Sequence, residues 1–319
     1  MSKDAAENRL EDWDDVFVDI FNNLVLDGQQ IIKEEELVSL PTRAYMRKNV
    51  GAIRSGMRDI RKGSRKNGIL RLISLIENQT EIDNTMPERV MGYEYASYEE
   101  QIKQIMDENT MRKKSAGARR IFAKQKLSPV VTGVLYYGEK RWKHPRRLYE
   151  MIRFPEGMEE RLKPYVADYP MNLVQVAHLT KDERERLTSD FRIIAEYLAC
   201  RNDRESWMKF QNSKYEIRHI EEVADLLWEL SGEEVYLNFK NQIKTDNVKR
   251  KGKWTMCEMT RELVRVSREE GRDIGIRAMI QDNLDMGNEK ESILGPLFKL
   301  LEATLELFVP LIVASLIDV

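Results

Sequence analysis

Three polar side chains stand where an apolar run stops. Residues Ile69 to Glu81 read as a strand that is buried for most of its length and ends abruptly in acids and amides. Alternate side chains of a strand share a face, so Glu77 and Gln79 are expected to project together at its end. The segment Gly56 to Arg61 is short enough for a partner strand, and Lys62 to Gly68 is rich in turn residues, so a hairpin is expected to bring Asp59 beside Glu77. Two carboxylates on one face repel each other unless a cation lies between them. Hard oxygen donors of this kind suit Mg²⁺, which keeps several waters and a substrate phosphate. An acid at a strand end is more often simply solvated, so the three residues define a candidate only.

Blocks around these residues extend the pattern. They are Trp13 to Phe21, Arg58-Asp59, Ile76 to Asp83, Met86 to Tyr93, Ser128 to Gly138 followed by Trp142, Pro145 and Arg147, and Ser189 to Arg192. In this order they resemble the Rpn-type group of recombination-promoting nucleases and transposases within the PD-(D/E)XK nuclease superfamily. The blocks cover most of residues 10 to 200, whereas an acid followed by Glu-x-Gln alone is common by chance. The resemblance implies an α/β fold with a restriction-endonuclease-like core, a small mixed sheet flanked by helices in the order helix, strand, strand, helix, strand. It implies a DNA endonuclease dependent on Mg²⁺ or Mn²⁺, with Asp59 and Glu77 as metal ligands and Gln79 where the wider superfamily has Lys. A neutral amide cannot offset charge as Lys does, so more of the work would fall to the metal. Family sites often add an acid from the first helix. Asp15 and Asp19 share a helical face at i and i+4, and Asp15 is the expected third ligand; both also suit the first turn of an amphipathic helix near its positive end.

The elements that must hold these groups follow from periodicity. Val16, Phe17, Ile20, Phe21 and Leu24 recur at helical spacing within Asp12 to Leu26. Met86 to Met106 suits another helix, with Pro87 in its first turn and Arg89 and Tyr93 stacked four apart. Ser128 to Tyr137 is an apolar strand expected to close the sheet. Beyond Asp168 the spacing turns helical, over Asp182 to Ala199, Ile220 to Leu230 and Thr255 to Arg277. The expected organisation is a nuclease-like domain over 1–168, a mainly helical region over 169–291 and an apolar tail over 292–319.

Charge is segregated although the net is only −2. Arg112, Lys113, Lys114, Arg119, Arg120, Lys124 and Lys126 occur without an intervening acid. Lys140, Arg141, Lys143, Arg146 and Arg147 follow the third strand with Trp142 among them. Such groups track phosphates of double-stranded DNA, or else face solvent in loops, and Trp142 could stack on a base or sugar. A third basic run, Lys249 to Lys253, reads as a connection between helices. His144, His178 and His219 are dispersed without metal-ligand spacing, and Cys200 and Cys257 suggest reduced thiols rather than a disulfide framework. Gly271 and Gly275 lie in a charged helical stretch and do not form a phosphate loop. With 42% hydrophobic and 33% charged residues and no signal-peptide pattern at the start, a cytoplasmic globular protein is expected.

Residues 292–319 are far more apolar than the chain before them, yet Glu302 and Glu306 interrupt the run that a spanning helix of about 20 residues would need. This tail resembles the opening of the first membrane helix of an ATP-binding-cassette exporter, and a fusion scar, a membrane contact, a buried helix or a homo-oligomer face are all open. Besides the endonuclease, two alternatives stand: a catalytically inactive DNA-binding member, and a non-enzymatic interaction protein with a membrane-peripheral tail.

Overall fold

The computed structural model describes residues 2–41, 59–113, 119–201, 203–245 and 254–285. The tail at 292–319 and the basic run at Lys249 to Lys253 lie outside them. Two compact units divide the chain, Met1–Cys257 and Glu258–Val319.

The first unit is built on a five-stranded mixed sheet flanked by helices. Its strands are β1 (Leu37–Ser39), β2 (Ile60–Lys66), β3 (Ile69–Gln79), β4 (Val130–Tyr136) and β5 (Asn172–Gln175), and they lie side by side in that order. β1 to β3 pair antiparallel, and β3 to β5 pair parallel. The start of β2 therefore meets the ends of β3 and β4 at one edge of the sheet.

The β2–β3 hairpin is tighter than the sequence suggests. Its loop is only Asn67-Gly68, both with positive φ (51° and 77°), the backbone a two-residue primed turn requires. Residues Lys62 to Lys66, expected as turn, belong to the strand. Lys62 is only 1% exposed, since its ammonium donates to Asp14 at 2.6 Å and to the Asp12 carbonyl, and it lies 5.2 Å above the Phe17 ring. A buried ammonium needs such partners.

Helices cover both faces. α3 (Met86–Lys113) packs its Met86, Val90 and Tyr93 against Ile73, Leu75, Val130, Val134 and Tyr136, and Trp142 joins this core. The opposite face carries α1 (Lys3–Glu11), α2 (Asp14–Ile20) and a π-helical turn over Phe21–Val25. That turn comes so near β4 that a Cβ on Gly133 would lie 2.6 Å from Val25 Cγ2, which is why glycine stands there. The helix expected over 12–26 is thus α2 with its π turn, and a separate helix precedes it.

Smaller helices follow: α4 (Glu159–Leu162), α5 (Lys181–Arg186), α6 (Phe191–Ala199), α7 (Arg204–Gln211), α8 (Ile220–Ser231) and α9 (Glu234–Thr245). A two-stranded pair, β6 (Glu216–Ile217) with β7 (Trp254–Thr255), ends this unit. Beyond Asp168 the chain is mainly helical, as the periodicity predicts, but β5 shows that the sheet continues past the boundary expected there. The expected helix at 182–199 is two helices, broken where Asp19 accepts the backbone N–H groups of Thr188 (2.9 Å) and Ser189 (2.8 Å). α10 (Met256–Asp285) carries the chain into the second unit. Among the described residues, no helix is long and apolar enough to cross a membrane.

Candidate functional site

At the carboxyl edge of the sheet, Asp59 stands one residue before β2 and caps the neighbouring strand. Its Oδ2 accepts the backbone N–H of Asn78 at 2.7 Å, and its Oδ1 accepts the Asn8 amide at 3.4 Å. The Asn78 amide in turn donates to Glu11 Oε2 at 2.7 Å and to Asn8 Oδ1 at 3.3 Å. The Tyr137 hydroxyl donates to the other Glu11 oxygen. Helical spacing explains why α1 supplies these groups, since Glu7 and Asn8 stand at i−4 and i−3 from Glu11 and so each neighbours it on the helix surface.

Burial governs the protonation of this cluster. Glu7 is 1% and Glu11 0% exposed. Desolvation raises Glu7 from 4.5 to about 9, with repulsion from Glu11 adding to it. Desolvation also raises Glu11, to about 7, against the lowering effect of its hydrogen bonds from Tyr137 and Asn78. Asp59 is pushed up by burial, opposed by the Asn78 N–H, and Tyr137 is pushed well up by burial and by Glu11. Glu7 Oε1 and Asn78 Oδ1 are buried with no hydrogen-bond partner, though the Lys3 ammonium forms an ion pair with Glu7 Oε1 at 3.8 Å. The cluster thus gathers oxygen acceptors, which protonation of Glu7 satisfies in part and which a hard cation would satisfy once the carboxyls are ionised. Among the described residues, no three His, Cys, Asp or Glu side chains converge closely enough to hold an ion as they stand.

Glu77 and Gln79 share a face, as strand alternation requires, and Gln79 donates to Glu77 at 3.2 Å. That face is the one covered by α3. Glu77 is 3% exposed and accepts from Arg89 and, at 3.2 Å, from the Tyr93 hydroxyl; Arg89 also pairs with Asp83 at 2.8 Å. Of the three residues expected on one face, Glu77 and Gln79 are together, while the hydrogen bonds of the Asp59 carboxylate come from the Asn78 backbone N–H and from Asn8. With Glu77 and Gln79 turned to α3, Asn78 points to α1, and Asp59 holds the strand end between them through the Asn78 backbone N–H while also meeting Asn8 of α1.

Asp15 does not reach this edge. It pairs with Arg218 (3.1 Å) and with His219 Nε2 (2.9 Å), while Trp13 stacks on the His219 ring at 4.2 Å. The first-helix acids beside Asp59 are Glu11 and Glu7. The sequence held a signal for them, an i, i+4 acid pair ahead of the first apolar helix. Asn78, as the middle residue of Glu-x-Gln, and Tyr137, as the end of an apolar strand, gave none.

Of the basic residues, Arg112, Lys124, Lys126, Lys140, Arg141 and Lys143 are exposed, and Arg119, Arg120, Arg146 and Arg147 are exposed but engaged. Arg119 pairs with Asp107 at 3.2 Å, Arg120 lies over the Phe122 ring at 5.3 Å, Arg146 donates to the Trp142 carbonyl at 3.0 Å, and Arg147 pairs with Asp168. Lys113 closes α3, and Lys114 lies outside the described residues. Trp142, expected as a base-stacking candidate, is 1% exposed and packs edge-on to Tyr136, so it is a core residue.

The fold and this edge define a class: a mixed α/β protein whose central sheet presents buried acids where antiparallel and parallel strands meet. Residues 65–227, just over half of the chain, match the family described as "Putative transposase, YhgA-like", and the chain belongs to that family. The match includes Glu77, Asn78, Gln79 and Tyr137, whereas Glu7, Glu11 and Asp59 precede it. No curated protein and no solved structure matches the chain.

Proposed function

We propose that this protein is a divalent-metal-dependent DNA endonuclease of the PD-(D/E)XK kind, acting in recombination or transposition. The observation that carries the proposal is the double use of Asn78, whose backbone N–H holds Asp59 and whose amide holds Glu11, so that buried acids are fixed where β2 begins and β3 ends. Asp59 and Glu11 are the residues proposed to hold Mg²⁺ or Mn²⁺, with Glu7 beside them and Glu77 across the strand end. The donor set fits such an ion in chemistry, being all oxygen with two acceptors lacking hydrogen bonds. When bound, a hard cation lowers the pKa of a water and offsets charge on a phosphodiester. The chain's own contribution is to fix the carboxylates through Asn78 and Tyr137 and to keep them buried. Gln79 can donate hydrogen bonds but cannot supply a charge. Arg112, Lys124, Lys126, Lys140, Arg141 and Lys143 are exposed cations available to backbone phosphates.

One observation favours a second reading, a DNA-binding member without cleavage. Glu77 is engaged by Arg89 and Tyr93, and Gln79 stands where Lys would be.

Plasmid cleavage in Mg²⁺, Mn²⁺ or EDTA, run beside Asp59→Ala, Glu77→Ala and Glu11→Ala, separates the two. Metal-dependent cutting lost in Asp59→Ala and Glu11→Ala supports the nuclease. No cutting, with DNA binding retained, leaves the second reading.

A further inference from the structure

Beside the acid cluster lies a cleft of about 520 Å³, open to solvent at the same edge of the sheet. Its volume is within the range of about 300–1,000 Å³ usual for small-ligand sites, and its place, outside the carboxyl ends of parallel strands, is where α/β sheets bind ligands. The buried rings of Tyr136 and Tyr137 and the backbone at Gly138 line it, together with Ile82, Leu198 and Leu230; Lys3, Lys140 and Arg201 bring cations. Gly138 is required by the packing. A Cβ there would lie 2.2 Å from the Tyr136 hydroxyl, so only glycine lets that ring lie against the chain.

Two residues belong to both cleft and cluster. Tyr137 lines the cleft while its hydroxyl holds Glu11, and Lys3 lines the cleft while its ammonium sits 3.8 Å from Glu7 and 5.7 Å above the Tyr137 ring. A group seated here is thus one side chain away from the buried acids.

The lining limits what that group can be. Glu81, Glu139 and Glu229 balance the three cations, and Arg201 is already tied to Glu139, so the cleft does not concentrate positive charge as a duplex-tracking groove does. Apolar walls near separate cations suit one base with one phosphate. Carboxylates at the rim accept from the exocyclic amines of a base edge.

We infer that this cleft seats a single unpaired nucleotide of the DNA substrate, its base against Ile82, Leu198 and Leu230 and its phosphate toward Lys3 and Lys140. The inference rests on the nuclease proposal for its choice of ligand and makes the preferred substrate a strand with an unstacked nucleotide: a bulge, flap or frayed end. Unpairing costs least where a base is already mismatched or single-stranded, which is how such a seat would select.

The test is binding of the full chain in EDTA to two duplexes, one fully paired and one with a single bulged 2-aminopurine, so that the readout does not depend on cleavage. Expected are at least 10-fold tighter binding of the bulged duplex, a change in 2-aminopurine fluorescence, and loss of both in Leu230→Trp, which fills the cleft. Lys140→Glu, exposed at the rim and safe for folding, is expected to weaken bulge binding more than paired binding. Equal affinity for the two duplexes, or a preference that survives both substitutions, overturns the inference. A bulge preference in a protein that cuts nothing in Mg²⁺ or Mn²⁺ overturns the nuclease reading and leaves the seat; cutting without preference does the reverse.

Discussion

The Asn78 amide donates to the Glu11 carboxylate at 2.7 Å, joining the last turn of α1 to the end of β3 across 67 residues of chain. Because the same residue's backbone N–H is held by Asp59, Asn78 sets the separation of the two acids proposed to bind metal. Asn78→Ala is expected to leave the sheet intact, since the backbone bond survives, and to lower Mn²⁺ affinity and cleavage by about 10–100-fold, the usual cost of losing a group that orients a metal ligand. Calorimetric Mn²⁺ titration beside circular dichroism checks this, and unchanged affinity would remove Asn78 from the site.

The acids also make stability depend on pH. Glu7 and Glu11 have folded pKa values of about 9 and about 7, both above their ordinary 4.5. A proton is therefore held more tightly in the folded than in the unfolded chain. The stabilising effect is complete below about pH 4.5 and is lost as pH rises through 7 and then 9. The metal-free protein is expected to melt at a lower temperature at pH 9 than at pH 6, with Glu7→Gln reducing the difference and raising Tm at pH 9 by on the order of 2–5 °C. Mg²⁺ is expected to recover much of the loss at pH 9. Thermal melts at both pH values decide the matter, and a Glu7→Gln profile parallel to wild type would contradict it.

The pair on the other face makes a different prediction. Glu77 is nearly inaccessible and held by Arg89, which is one-third exposed. Arg89→Leu strands a buried carboxylate, and breaking a buried pair from one side costs about 3–5 kcal/mol, here at the lower end because Arg89 is part-solvated. Glu77→Gln in the same background removes the charge and is expected to restore much of the loss. Urea denaturation of the single and double variants measures the coupling, and additive effects would mean that the pair contributes nothing of its own.

How much of this was legible in the sequence depended on whether a residue's role was local. The Asn67-Gly68 turn and the apolar run of β3 are local signals, and the hairpin follows from them. Lys62 is not: a lysine among turn formers reads as solvent-facing, and only Asp12, Asp14 and Phe17, brought in from another element, make a buried strand position of it. β5 is four residues long with Val174 its one fully buried member, too few periods to show alternation. At the site, the i, i+2 rule correctly put Glu77 and Gln79 together, but which helix covers that face is a tertiary fact. Asp15 fits an amphipathic first turn equally well whether it meets a metal or, as found, Arg218 and His219 from some 200 residues away.

The turn itself can be tested in isolation from packing. At Gly68, φ is +77° and an added Cβ would meet nothing within 4 Å, so Gly68→Ala carries a backbone cost and no clash. Destabilisation of about 1 kcal/mol is expected, while Asn67→Gly, at φ 51°, should be near neutral. Chemical denaturation of the two variants reads the difference; a loss well above that value in Gly68→Ala would point to packing rather than to the turn.

DNA affinity should answer to the exposed cations and not to the paired ones. Arg112 and Arg141 face solvent, whereas Arg119 and Arg147 are taken up by Asp107 and Asp168. Each phosphate contact releases counterions and adds about 0.9 to the slope of log affinity against log salt. Replacing Arg112 and Arg141 together by Ala is expected to lower that slope by up to about 1.8 if both meet phosphates, weakening all sequences alike because backbone contacts carry no sequence information. Arg119→Ala with Arg147→Ala should change the slope far less, since each must first leave its carboxylate. Fluorescence anisotropy across a salt series on one duplex measures both pairs, and equal slopes for the two double variants would assign the DNA surface elsewhere.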